Sequence, residues 1–237
     1  VVPEAAAPPP GRSPGRFLRD YVETVLVAVL VVLFGTTFIV QNSVIPSASM
    51  EDTLLVGDYI LVNKIAFAPE DADLPARWLG MRPIRHADVV VFKFPGDPTT
   101  DYIKRVIGLP GDVIEIRDKA LYRNGELLDE PQVRHKTGIV IPRSGPDGRR
   151  DNFGPVVVPE ASLFLMGDNR DYSQDSREFG PVPRSHVTGR ALLVFWSKRQ
   201  PPGALTLQGT DRLRRFARSL LTFHEDMRWR RLLTVIR

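Results

Sequence analysis

Hydrophobic and polar positions along this chain fall into three regimes. From Val25 to Val40 the sequence reads VLVAVLVVLFGTTFIV, and no charged residue stands between Glu23 and Glu51. Crossing the hydrocarbon of a bilayer takes about 20 mostly apolar residues, so residues 21–42 are expected to form one transmembrane helix. Short β-branched runs follow: Tyr59 to Ile65, Val89 to Phe94, Tyr102 to Gly108, Val113 to Ile116, Val156 to Val158, Leu163 to Met166 and Ala191 to Trp196. Such runs, separated by Gly, Pro, Asn and Asp, predict the strands of an all-β barrel or sandwich over residues 43–200. Asn124-Gly125, between Leu121-Tyr122-Arg123 and Glu126-Leu127-Leu128, supplies the positive φ angles of a tight hairpin. The third regime is the tail, residues 201–237. There Leu213, Phe216, Ala217, Leu220, Leu221 and His224 recur at helical spacing among arginines, which suggests a basic amphipathic helix on a membrane surface or, equally, a solvated helix packed on the body or a disordered end.

The remaining stretches are punctuation. Residues 1–20 open with a Pro-, Ala- and Gly-rich leader that cannot bury a core and is expected to be disordered. Residues 66–86 and 142–155 are polar or Pro/Gly-rich and read as surface insertions between strands. Composition agrees: 21 prolines and 18 glycines in 237 residues disfavour a helical bundle. Arg12, Arg16 and Arg19 precede the apolar run, and Glu51 and Asp52 are the first charges after it. The positive-inside rule then puts the N-terminus in the cytoplasm and everything after Val40 on the other side. Ser47-Ala48-Ser49 also resembles the small residues at a signal-peptide cleavage site, the reading that competes with a permanent anchor.

Charge and cysteine content exclude several chemistries. A formal charge of +4, with arginines gathered at the two ends, favours membrane phospholipid over nucleic acid as a partner. The absence of cysteine removes disulfides, thiolate nucleophiles and cysteine zinc sites. No G-x-S-x-G elbow, H-E-x-x-H helix or Walker loop occurs, and His86, His135, His186 and His224 form no triad pattern. A serine hydrolase built from this sequence needs another base. Lysine serves when burial disfavours its ammonium form. Lys104 sits within Tyr102-Ile103-Lys104-Arg105-Val106-Ile107, a strand whose alternation sends Lys104 and Arg105 to opposite faces.

Four blocks, in order, carry a resemblance: PSASM at Pro46 to Met50; GDYILVNK at Gly57 to Lys64; Asp88 to Lys93 together with Asp101 to Asp112; and GDNRDYSQDSREFGPVP at Gly167 to Pro183. With the preceding span they resemble bacterial type I signal peptidase, the leader peptidase family. The resemblance implies an antiparallel β catalytic domain of signal-peptidase type and a metal-free Ser-Lys dyad without a cofactor. Ser49 would be the nucleophile and Lys104 the general base. It further implies an oxyanion hole from the Ser49 N–H and the Ser47 hydroxyl, and a lysine-orienting hydroxyl at Ser173. Asp168 and Asp175 would be structural partners of Arg105 and Arg177. Ile45, Pro46, Leu54, Tyr102 and Ile103 would line shallow apolar pockets for small residues at −1 and −3 (Ala-x-Ala). The implied partners are secretory preprotein signal peptides and the protein export machinery; the implied location is the inner (plasma) membrane, single-pass, with the catalytic domain extracytoplasmic. Asp52 stands where the family commonly has Pro, and one span stands where some relatives have two. A specialised Ser-Lys maturation peptidase and a non-catalytic membrane-anchored β-domain binding protein are the alternative readings.

Overall fold

The computed structural model describes residues 14–68, 80–199 and 226–236. The chain forms two compact units, residues 1–39 and 40–237. In the first, α1 (Pro14–Phe34) continues into a π-helical turn, Gly35–Ile39. Proline is tolerated in a first helical turn because the N–H it lacks would have no intrahelical partner there. Leu18–Ile39 is 22 residues long, enough to cross a bilayer. Leu26, Val29, Leu30, Val31, Val32 and Leu33 are all exposed, so apolar surface surrounds the helix instead of forming a single buried stripe. That distribution suits lipid.

The helix begins before residue 21 and yields to β-structure before residue 42. Pro14 to Asp20 are helical, extending α1 into the stretch expected to be a disordered leader; residues 1–13 lie outside the described residues. At the other end, Val40–Val44 is strand β1, antiparallel to β2 (Asp58–Asn63), with Asn42 opposite Leu61. The absence of charge made VQNSV look like more span, but its polar residues are accommodated on a sheet edge.

The second unit is antiparallel β throughout its paired strands. Its remaining strands are β3 (Val89–Phe94), β4 (Asp97–Gly108), β5 (Val113–Arg117), β6 (Ala120–Arg123), β7 (Glu126–Leu127), β8 (Phe153–Val157), β9 (Ser162–Met166), β10 (Val182–Pro183), β11 (Val187–Ser197) and β12 (Thr234–Val235). One sheet runs β1-β2-β11-β3-β4-β9-β10, with β12 also on β11; the other runs β7-β6-β5-β8. β2 alternates strictly, burying Asp58, Ile60 and Val62. β3 instead buries four consecutive residues: Val89 and Val91 join one core cluster, with Ile45, Met50 and Leu54, while Val90 and Phe92 join another, with Val106 and Leu165. A strand covered on both faces reads as a continuous apolar run. The β6–β7 turn carries Asn124 at φ 55° and Gly125 at φ 84°, as a tight hairpin requires.

Several expected boundaries shift. Asn63 ends β2 by accepting the Ile65 N–H on its side chain, two residues earlier than the apolar pattern ends. β8 begins at Phe153, inside the expected 142–155 insertion, whose earlier part forms a short 3-10 turn at Gly148–Arg150. Of the 66–86 insertion, residues 69–79 lie outside the described residues, and Ala66, Ala68 and Arg82 exchange backbone hydrogen bonds. The tail is corrected where it is described: residues 226–236 form a 3-10 turn, Trp229–Arg231, and β12 rather than a surface helix. Edge pairing with β11 and burial of Met227 and Ile236 outweigh the helical spacing of the basic residues. The proposed helical face from Leu213 to His224 lies outside the described residues.

Candidate active site

After β1 the chain is pinned by two backbone hydrogen bonds, Ile45 N–H to the Asp58 carbonyl and Gly57 N–H to the Ile45 carbonyl. It then passes Pro46 and Ser47 into a 3-10 turn, Ala48–Met50. Met50 and Leu54, both fully buried, anchor this turn in the core with Ile45. From the opposite side Asn169 donates its backbone N–H to the Ser49 carbonyl at 3.2 Å and its side-chain amide to the Ala48 carbonyl at 3.0 Å. Ser49 is thereby gripped at its backbone, leaving its hydroxyl for chemistry.

Lys104 reaches that hydroxyl from β4, where it stands opposite Val90 of β3. Its Nζ lies 2.6 Å from Ser49 Oγ, and the residue is 3% exposed. Burial pushes the amine from 10.5 down to about 8; Asp175 pulls back upward and Arg177 pushes further down. About a tenth of such amines are neutral at pH 7. In the neutral form the hydrogen bond can reverse, with the serine donating to the amine lone pair, which is the geometry of a base poised to activate a hydroxyl. The Tyr102 ring, on the same strand face, lies 5.4 Å from Nζ. Ser47 donates its hydroxyl to Ser49 Oγ across a longer 3.4 Å.

Neighbouring charges are paired. Arg105 makes a two-pronged contact with Asp168, Nε to Oδ1 at 2.8 Å and Nη2 to Oδ2 at 2.7 Å, with both residues buried. Thr53 donates to the same carboxylate at 2.5 Å, tying the segment after Ser49 to the GDNR block. Asp175 caps α2 (Ser176–Phe179), accepting from the Arg177 N–H and from its guanidinium, and also accepts from the Gly167 N–H. Burial alone would raise the Asp175 pKa, but Arg177 and these donors hold it below the usual value. Gly167 has a steric role: a Cβ there would overlap both Ser173 Oγ and the Ser49 carbonyl oxygen.

Two parts of the expected site are arranged differently. Ser173 lies beside Gly167, and its buried hydroxyl is among the groups that lower the Asp175 pKa; it makes no hydrogen bond to the Lys104 amine. Ile45 and Leu54, expected near pocket walls, are 2% and 0% exposed and serve as core beneath the Ala48–Met50 turn; Ile103 is also buried. Pro46 is exposed and Tyr102 half-buried, which leaves these two on the accessible side. Gly167, Asn169 and Thr53 carried no assigned role from sequence, although all three sit within or beside the quoted blocks. His86 faces Asp112 at 2.7 Å, His186 faces the Lys93 carbonyl at 3.2 Å, and His135 lies 3.7 Å from Asp171. None of these three meets the serine. Among the described residues no three potential metal ligands converge.

An antiparallel β body holding a buried serine and lysine in contact, preceded by an apolar helix of spanning length, describes a membrane-anchored protein equipped for nucleophilic chemistry. A family model described as signal peptidase, peptidase S26, matches residues 18–196, and the chain belongs to that family. It is 34% identical to signal peptidase I of Pseudomonas aeruginosa over 78% of this chain and 74% of that protein. It is 31% identical to signal peptidase I of Aquifex aeolicus, covering 78% and 86% of the two chains, and 36% identical to that of Bacillus caldolyticus, covering 73% and 89%. A solved signal peptidase I structure from Enterococcus faecalis matches at 31% identity over 46% of this chain and 97% of the solved chain, with a TM-score of 0.37.

Proposed function

We propose that this chain is a membrane-anchored serine endopeptidase that removes signal peptides from exported preproteins, with Ser49 as nucleophile and Lys104 as general base. The observation that carries the reading is the 2.6 Å contact between Ser49 Oγ and a buried amine whose pKa is lowered to about 8. Ser49 Oγ attacks the scissile carbonyl carbon while its proton passes to Lys104 Nζ. The Ser49 N–H and the Ser47 hydroxyl donate to the oxyanion; one such donor is worth on the order of 100-fold in rate. Lys104 then delivers the proton to the departing amine of the mature chain. Water, deprotonated by the same lysine, cleaves the acyl-enzyme and frees the signal peptide.

Specificity for small residues at −1 and −3 is assigned to shallow apolar surface beside Ser49, where Pro46 and Tyr102 remain accessible; such surface excludes bulk and gives little polar reward. The arginines before the span favour an N-terminus in the cytoplasm of a plasma (inner) membrane and an extracytoplasmic catalytic body. Membrane phospholipid and the export machinery are its proposed surroundings. The test is cleavage of a preprotein bearing an Ala-x-Ala site by the detergent-solubilised chain. Ser49→Ala and Lys104→Ala are each expected to lose on the order of a thousandfold or more in kcat. Wild-type turnover by either variant overturns the dyad.

A further inference from the structure

The family match ends at residue 196, yet the segment from Asp226 to Ile236 returns to the nucleophile. Its backbone is held by Arg199 N–H to the Asp226 carbonyl, Arg228 N–H to the Ser197 carbonyl and Ile236 N–H to the Leu192 carbonyl, in addition to the pairing of β12 with β11. Ile236, 4% exposed, packs in the same core cluster as Ile45, Met50 and Leu54. Those three side chains belong to the segment that bears Ser49.

The polar contacts converge on the same place. Between Met50 and β2 the chain has no strand partner for its peptide groups, and a buried carbonyl left without a donor costs about 1–3 kcal/mol. Arg231 Nη2 donates to the Thr53 carbonyl at 2.8 Å and to Asp58 Oδ2 at 2.6 Å. Arg228 donates to the Val56 carbonyl at 3.0 Å. Asp58, with no exposed surface, also accepts from the Leu55 N–H and the Ser197 hydroxyl. Thr53 is therefore held at both ends: Arg231 takes its carbonyl, and its hydroxyl binds the Asp168 that pairs with Arg105, the residue after Lys104.

We propose that Arg231 is a positioning residue for the peptidase reaction: the C-terminal segment braces the loop after Ser49, through the Thr53 carbonyl and Asp58, and so keeps the serine in register with Lys104. This rests on the Ser49–Lys104 reading. A displacement of about 1 Å at reacting atoms can cost on the order of 100-fold in rate, so the brace acts on turnover more than on substrate affinity.

The experiment measures kcat, KM and melting temperature for the detergent-solubilised full chain and for Arg231→Ala, Arg231→Lys and Leu233→Ser; Leu233 is exposed and serves as a control on the same segment. Arg231→Ala is expected to lose about tenfold or more in kcat with little change in KM. Millimolar guanidinium should restore part of the loss, and Arg231→Lys should fall between alanine and wild type. Leu233→Ser should match wild type. Wild-type kcat in Arg231→Ala overturns the brace, as does a loss that guanidinium leaves untouched and that is matched by loss of folded protein. Should Arg231→Ala not fold, a folded Arg231→Lys with unchanged kcat overturns it equally. Ser49→Ala in the same assay keeps the two ideas apart: activity there sinks the dyad, whereas an inactive Ser49→Ala beside a fully active Arg231→Ala sinks only the brace.

Discussion

Replacing Lys104 with methionine is expected to abolish cleavage and, at neutral pH, to make the protein more stable. The side chains are similar in length, so the pocket stays filled, but the charge is gone. Burial takes the lysine pKa from 10.5 in the unfolded chain to about 8 in the folded one, and at about 1.4 kcal/mol per pH unit this gap is a penalty of roughly 3 kcal/mol on the folded state. Below pH 8 both states hold the proton and the penalty is present in full. Between pH 8 and 10.5 the folded state releases its proton first, the unfolded state binds more protons, and wild-type stability climbs with pH. Above 10.5 the penalty has vanished. Methionine also forfeits the bond to Ser49, worth about 1 kcal/mol, so its net advantage is about 2 kcal/mol at pH 7, fading to nothing or slightly below by pH 10.5. Denaturant unfolding of the detergent-solubilised chain, followed by tryptophan fluorescence at pH 7, 9 and 10.5, measures it; groups shared by both proteins cancel in the difference. A variant less stable than wild type at pH 7, or an advantage that does not shrink with pH, refutes the reasoning.

Two other expectations follow from the same geometry. With the neutral amine as the active form, kcat/KM should rise with pH through an apparent pKa of about 8; a profile flat from pH 6 to 9 contradicts it. Gly167→Ala should cut kcat on the order of 100-fold, because the new methyl meets the Ser49 carbonyl and Ser173 Oγ. A variant that is well folded and fully active shows that the β9 end and the nucleophile turn can separate without consequence.

What the sequence disclosed depended on whether a signal was local. β3 and β9 were legible because a run buried on both faces is apolar at every position, and the β6–β7 hairpin because Asn-Gly answers a local dihedral demand. β1 and β12 were not, since each exists only through pairing with a strand distant in sequence: VQNSV has no charge to end an apolar span, and Thr234-Val235 is preceded by arginines that mimic a helix face. The same division runs through the site. Ser49 and Lys104 stood out through ordered motif blocks. The grip of Asn169 on the Ala48 and Ser49 carbonyls and the reach of Arg231 to Thr53 join segments far apart in sequence, 121 residues for Asn169 to Ala48 and 178 for Arg231 to Thr53, for which spacing gives no cue. Ser173 sits where the resemblance expects it, beside Gly167, but its buried hydroxyl neighbours Asp175 and makes no hydrogen bond to the Lys104 amine.

Strand β4 carries a buried amine and a buried guanidinium side by side, Lys104 and Arg105. Lys104 stands opposite Val90 and Arg105 opposite Val89 and Met166. A slip of one residue against these neighbours would present either Ile103 or Arg105 to Ser49, a hydrocarbon or a planar guanidinium in place of an amine. The alignment of β3 with β4 therefore decides which side chain meets Ser49. The ladder's irregularity lies between Lys93 and Phe94, toward the exposed tip at Asp97 to Thr100. Residues added or lost at that tip can be absorbed there, so hairpin length is free to drift while Lys104 keeps its place.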